Sequence, residues 1–101
     1  MAEVRNHDLR ISGGLKAGNW RFGRVTITPV ANTPTSTTVS GLSLQGAGDV
    51  LGFCTSVTSV PGTGVLETSV SSVSSTGMTV WIYRTNTTGT DVEWMMWRNR
   101  T

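Results

Sequence analysis

Val73-Ser74-Ser75-Thr76-Gly77-Met78-Thr79-Val80-Trp81-Ile82-Tyr83 is the stretch that decides the fold class of this 101-residue chain. Its Ser/Thr-Gly turn leads into a run of side chains that alternate between aliphatic and polar or aromatic, the period of a β-strand. A polar turn at residues 86–89 follows, and residues 90–97 repeat the alternation. These features predict a hairpin of two antiparallel strands in the C-terminal third of a β-protein.

Short β-rich runs alternate with turn clusters from Arg24 onward, and no helical period of useful length interrupts them. The predicted strands cover residues 24–29, 37–44, 50–57, 65–73, 78–85 and 90–97. The prolines fall at strand ends or in turns, where a missing backbone N–H is tolerated. Six short strands at this spacing favour an antiparallel sandwich or barrel. We predict an all-β protein, a six-stranded antiparallel β-sandwich preceded by an extended N-terminal arm.

Alternation divides the side chains of the last two strands between two faces. The residues expected in the core are Met78, Val80, Ile82, Val92, Trp94 and Met96. The residues on the other face are Trp81, Tyr83, Met95 and Trp97. Because a soluble monomer seldom exposes so much aromatic and methionine surface, these four residues are predicted to form an oligomer interface. Two alternatives stay open: the arm folds back over the patch with Trp20 and Phe22, or the patch is an exposed ligand platform.

Charge is sparse and unevenly distributed. Charged residues make up 14% of the chain, against roughly 25% in an average globular protein. Residues 1–24 hold five basic and two acidic residues, a balance of +3, whereas residues 25–101 hold three and four, a balance of −1. The chain therefore divides into a basic arm at residues 1–24 and a sandwich domain at residues 25–101.

The basic arm fits two interpretations, a solvated tail or a segment that docks onto an acidic surface. The candidate docking residues are Arg5, Arg10, Lys16, Trp20, Arg21 and Phe22. Nucleic acid is not predicted as a partner, because no recognised binding motif accompanies the charge.

Few residues suit catalysis or metal binding. The chain has one histidine, His7, and one cysteine, Cys54, and no recognisable pair of carboxylates. Cys54 lies in an apolar stretch and is predicted to be a small buried hydrophobe. We therefore expect no enzymatic activity, no metal and no other cofactor. We also expect no secretory signal, since no apolar run follows the first residues, and no membrane partner, since no stretch approaches the roughly 20 apolar residues of a span.

Sugar binding is the remaining chemistry that these residue types allow. Aromatic rings stack on sugar rings, while charged side chains hydrogen-bond the hydroxyl groups. The aromatic candidates are Trp81, Tyr83 and Trp97, and the possible glycan contacts beside them are Arg84, Asp91 and Glu93. The same residues also describe a subunit interface.

Residues 66–97 resemble the H-type lectin pattern. The stretches that carry this resemblance are a Val-rich run at residues 70–73, a Ser/Thr-Gly turn into a strand at residues 74–79, and a closing strand around Trp94 at residues 92–96. Met78 departs from the pattern, in which Phe is usual. No sugar-contact residue is carried over, since the family's contacts lie in loops and at subunit boundaries.

Residues 25–97 are still more similar to small domains of bacteriophage tail and virion proteins. The matching stretches are residues 28–36, 60–63 and 83–90. Together the resemblances imply a six-stranded sandwich and an assembly of three or six subunits.

Two functions are predicted from these observations. The first is a non-enzymatic component of the virion, a capsid decoration or minor tail protein. It would form a homo-oligomer, most simply a trimer, through the outer face of the last hairpin, and would dock onto the major capsid or tail protein through its arm. The second is a glycan-binding module that attaches the particle to a host surface glycan.

Overall fold

The computed structural model describes residues 18–59 and 64–99. Arg5, Arg10 and Lys16, which are candidate docking residues, lie outside this part of the chain. So do residues 60–63, which contribute to the resemblance with virion domains.

The described residues form six β-strands in two antiparallel sheets. The strands are β1 (Trp20–Ile27), β2 (Thr35–Val39), β3 (Val50–Val57), β4 (Val65–Ser74), β5 (Gly77–Arg84) and β6 (Thr90–Arg98). One sheet has the order β1-β6-β3 and the other the order β2-β5-β4. This arrangement confirms the predicted all-β antiparallel sandwich. The described residues contain no helix that is long and apolar enough to span a bilayer.

The predicted C-terminal hairpin is wrong, because β5 and β6 are the central strands of different sheets. Both strands carry an inner face of buried apolar side chains. Packing these two faces against each other removes more apolar surface from water than edge-to-edge pairing would. Residues 85–89 therefore cross from one sheet to the other. The tight hairpin is instead β4–β5, which the pair Ser74–Gly77 closes.

The core lies between the sheets and includes five of the six residues that the alternation predicts. Its buried apolar residues are Ile27, Val39, Leu44, Met78, Val80, Ile82, Val92 and Met96. Trp94 is partly buried against them. Its indole lies so close to Gly23 of β1 that a Cβ at that glycine would sit 2.8 Å from Cζ2. A glycine is therefore needed at this position for the indole to pack.

β1 begins at Trp20, four residues before its predicted start. Trp20, Arg21 and Phe22 were assigned to the docking arm, but they belong to this strand and pair with residues 95–97 of β6. Gly18 and Gly23 flank these three residues, and glycine disfavours a strand locally. The pairing with β6 overrides this local preference by supplying the backbone hydrogen bonds of a strand.

β2 ends at Val39, earlier than predicted, and residues 40–49 are irregular. The N–H groups of Leu42 and Leu44 donate to the carbonyl oxygens of Thr76 and Ser75. This segment therefore packs along the β4–β5 turn instead of extending β2.

Candidate functional site

The four residues predicted to form one interface lie on opposite sides of the sandwich. Trp81 and Tyr83 point outward from β5, whereas Met95 and Trp97 point outward from β6. Alternation correctly separates inner from outer side chains on each strand. The predicted hairpin, however, placed both outer sets on a single surface. The one predicted patch is therefore two surfaces with different chemistry.

The outer side of sheet β1-β6-β3 carries an apolar patch that crosses all three strands. Its two rows are Trp20–Trp97–Leu51 and Phe22–Met95–Phe53. We call these six residues the apolar face. Four of them are at least half exposed, and Phe22 reaches 63%. A contiguous exposed patch of this kind typically marks an interaction surface.

Leu51 and Phe53 belong to the apolar face but are not predictable from the sequence as surface residues. They alternate with Gly52 and Cys54 in a stretch without charged side chains. Because both sides of β3 are apolar here, alternation does not reveal which side faces water. The structure shows that Leu51 and Phe53 are the exposed set.

A depression of about 270 Å³ opens on the apolar face between β1 and β6. Its lining residues are Asn19, Trp20, Met95 and Trp97. The Asn19 amide donates a hydrogen bond of 3.1 Å to the carbonyl oxygen of Arg98. Three of the four lining side chains are apolar or aromatic, so the depression suits an apolar side chain better than a polar ligand.

The other end of the same sheet face is charged. Arg24 of β1 lies across from β6, with its Nη1 3.5 Å from Asp91 Oδ2 and its Nη2 3.4 Å from Glu93 Oε1. The Thr26 hydroxyl donates to Asp91 Oδ1 at 2.6 Å. All three charged side chains are about half exposed, so these ion pairs add little to stability. Asp91 and Glu93, two of the possible glycan contacts, are engaged with Arg24 on this side.

Trp81 and Tyr83 stand at the centre of a hydroxyl-rich surface on the opposite sheet. Register places Ser36 and Ser69 beside Trp81 and Glu67 beside Tyr83. We call this surface the hydroxyl face. A depression of about 210 Å³ on it is lined by Pro34, Glu67, Ser69, Ser71, Trp81, Ile82 and Tyr83. Trp81 Nε1 donates to Ser71 Oγ at 2.7 Å, which holds the indole in one orientation.

Arg84, the third possible glycan contact, is a buried residue that anchors the crossing between the sheets. It is 6% exposed. Its Nε donates to Asn86 Oδ1 and its Nη1 to Thr90 Oγ1, both at 2.8 Å. It borders a depression of about 170 Å³ near Thr88 and Gly89. The structure therefore does not bring Arg84 together with Asp91 and Glu93, which point outward from the other sheet.

Cys54 faces the interior of the sandwich, where its thiol donates to the carbonyl oxygen of Ser69 at 3.5 Å. Burial raises the pKa of this thiol, and a hydrogen bond with Thr68 lowers it in part. A raised pKa favours the neutral thiol over the reactive thiolate. Within residues 18–59 and 64–99, no group of His, Cys, Asp and Glu is arranged to hold a metal ion.

Comparisons with protein-family models, with curated proteins and with solved structures found no match to this chain. Function is therefore proposed from the two outer faces and from the sequence resemblance.

Proposed function

We propose that this protein is a non-enzymatic structural component of a bacteriophage particle, a capsid decoration or minor tail protein that works as an oligomer. The observation that carries the proposal is the apolar face. Free in water its four most exposed side chains, those of Phe22, Leu51, Phe53 and Trp97, are at least half exposed, whereas in an assembly they would be buried against other chains. The resemblance of residues 25–97 to small virion domains supports a phage particle, and it favours a trimer.

Several polar groups of the described residues are engaged in contacts within the chain, which supports a structural role for them. Arg84 holds the crossing between the sheets, and Arg24 is engaged with Asp91 and Glu93. Burial raises the pKa of the Cys54 thiol, which favours its neutral form. Each of these groups is committed to a contact within the chain.

The N-terminal segment is the proposed point of attachment to the major capsid or tail protein. Because β1 begins at Trp20, the segment before the sandwich is shorter than the predicted arm. Residues 1–17 contain Arg5, Arg10 and Lys16 against two acidic residues, a balance of 3 − 2 = +1. Attachment through this segment would therefore depend on specific contacts more than on net charge.

Deleting residues 1–17 tests the proposed function. Mass spectrometry of purified particles from the encoding phage should detect the full chain in many copies. The deletion variant should keep its β-sheet circular dichroism and its oligomeric mass. Its incorporation should fall at least about tenfold, which corresponds to losing about 1.4 kcal/mol of binding free energy.

The deletion has to stop before β1. Removing residues 1–23 would also delete half of that strand and expose an edge of β6. Absence of the full chain from particles would overturn the assignment to the virion. Unchanged incorporation of the shorter variant would overturn attachment through residues 1–17.

A second candidate function, binding of a host surface glycan, is favoured by the hydroxyl face. A fixed indole and a phenol ring can stack on sugar rings, and the serine hydroxyls and Glu67 can bond the sugar hydroxyls. In this proposal the sugar contacts are Trp81, Tyr83 and Glu67, in place of Arg84, Asp91 and Glu93.

Trp81→Ala is expected to weaken glycan binding at least about fivefold, because an aromatic contact contributes about 1 kcal/mol beyond its buried area. A glycan array would identify the ligand, and calorimetry on that ligand would compare the variants. Ser43→Ala, in the exposed irregular segment after β2 and outside both faces, is the control and should bind like the wild type. A blank array with the oligomer would remove this second candidate.

A further inference from the structure

We infer that the apolar face binds a second copy of this chain in a parallel arrangement, with the β6 strands of all copies running in the same direction around a symmetry axis parallel to them. This inference rests on the proposed function, which requires an oligomer. The inference specifies which surface forms the oligomer and how the subunits are oriented.

The outer side of sheet β1-β6-β3 is ordered in four rows along its strands. The first two rows are the apolar face. The third row is Arg24–Glu93–Thr55 and the fourth is Thr26–Asp91–Val57. The apolar half and the charged half therefore occupy opposite ends of the same surface.

Antiparallel stacking of two such surfaces is unfavourable in either of its registers. Full overlap would press the apolar rows of one copy onto the rows of Arg24, Glu93 and Asp91 of the other. The Arg24 ion pairs would lose water, and the apolar side chains would meet charged groups instead of one another, which is costly. A shift that brings only apolar rows together leaves six side chains per subunit in contact, half of the twelve outward positions.

Parallel stacking brings every row against the same row of the other copy. The apolar rows then meet each other, and all twelve outward positions contribute. Arg24 already lies between Asp91 and Glu93, so the charged rows bring their own counter-charges. The parallel interface therefore has an apolar end and a charged end. Such an arrangement closes as a cyclic dimer or trimer.

The two edges of the apolar face are complementary in shape. Rotation about an axis parallel to the strands places β3 of one copy opposite β1 of the next. Leu51 projects from β3 and is 50% exposed. It shares its row with Trp20 and Trp97, which line the depression on the β1 side. In the parallel arrangement, Leu51 of one copy therefore faces the depression of its neighbour.

Light scattering on the purified full-length protein tests which surface self-associates. The wild type should have two or three times the 10.8 kDa mass of one chain. Leu51→Glu should reduce the mass to that of one chain while the circular dichroism stays unchanged. Ser36→Glu places the same charge on the hydroxyl face and should leave the oligomer intact. A monomeric wild type, with the face covered by residues 1–17 or by another protein, would overturn the inference, as would an oligomeric Leu51→Glu variant.

A spin label at Asp91→Cys, in a Cys54→Ser background, tests the orientation. Position 91 lies five residues from the centre of the apolar face along β6. In the parallel arrangement the labels of two copies face one another, roughly 10–20 Å apart, given a sheet spacing of about 10 Å. An antiparallel pair centred on the apolar face would separate them by ten residues, about 33 Å at 3.3 Å per residue. The longer distance in electron resonance measurements would overturn the parallel arrangement.

These measurements use purified protein and do not depend on the particle. An oligomer of the expected geometry that never enters a particle would preserve this inference and remove the proposed function. A monomer that is found in particles would overturn this inference and the oligomeric part of the proposed function, but it would preserve the assignment to the virion.

Discussion

Gly77→Ala is expected to lower the free energy of unfolding by about 3 kcal/mol or more, a large fraction of the 5–15 kcal/mol that stabilises a typical domain. A Cβ at position 77 would overlap the carbonyl oxygen of Val39 and lie 3.0 Å from the Cα of Ser40. Both are backbone atoms at the end of β2, so no side-chain rotation relieves the overlap. Either β2 moves away from β5 or the turn between β4 and β5 changes shape.

Gly41→Ala is the matched control. Gly41 has a φ of +76°, but nothing lies within 4 Å of a Cβ built on it. Its replacement should cost only the strain of a left-handed backbone, about 1–2 kcal/mol. Urea unfolding followed by circular dichroism would compare the two variants. If Gly77→Ala unfolds no more easily than Gly41→Ala, the close packing of the β4–β5 turn on β2 is incorrect.

The sequence predicts the strands and their faces better than it predicts their partners. Met78, Val80 and Ile82 alternate with polar and aromatic residues, and this alternation correctly identifies the core side of β5. Alternation carries no information on which strands pair. The short polar connection at residues 85–89 suits a hairpin as well as a crossing between sheets, and the burial of Arg84 beneath it is a tertiary effect.

The candidate site is predictable only in part, for the same reason. Met95 and Trp97 do belong to the apolar face, but Trp81 and Tyr83 belong to the hydroxyl face because β5 lies in the other sheet. Trp20 and Phe22 fall in the predicted arm, because glycines and scattered apolar residues leave residues 1–23 without a clear period. Charge offers a signal that alternation lacks: Arg24 is complementary to Asp91 and Glu93, with which its side chain pairs across β1 and β6.

Met96→Lys is expected to abolish folding, whereas the same substitution one residue earlier, Met95→Lys, is expected to leave the sandwich folded. Met96 has no exposed surface and lies between the sheets. An ammonium group there would lose its water without a counter-charge, a cost of several kcal/mol in a domain whose whole stability is of that order. Met95 points outward, so a lysine there can bury its methylene groups and keep its charge in water.

Thermal unfolding and light scattering on this pair separate the two roles of β6. Met96→Lys should lack a cooperative transition. Met95→Lys should keep one near the wild-type temperature but have the mass of a single chain, because it introduces a charge at the centre of the apolar face. If both variants unfold, the outer side of β6 is buried within the subunit and cannot be an interface between copies. If both fold, Met96 does not face the core. Only a folded, monomeric Met95→Lys beside an unfolded Met96→Lys fits a strand whose inner side builds the sandwich and whose outer side joins it to another copy.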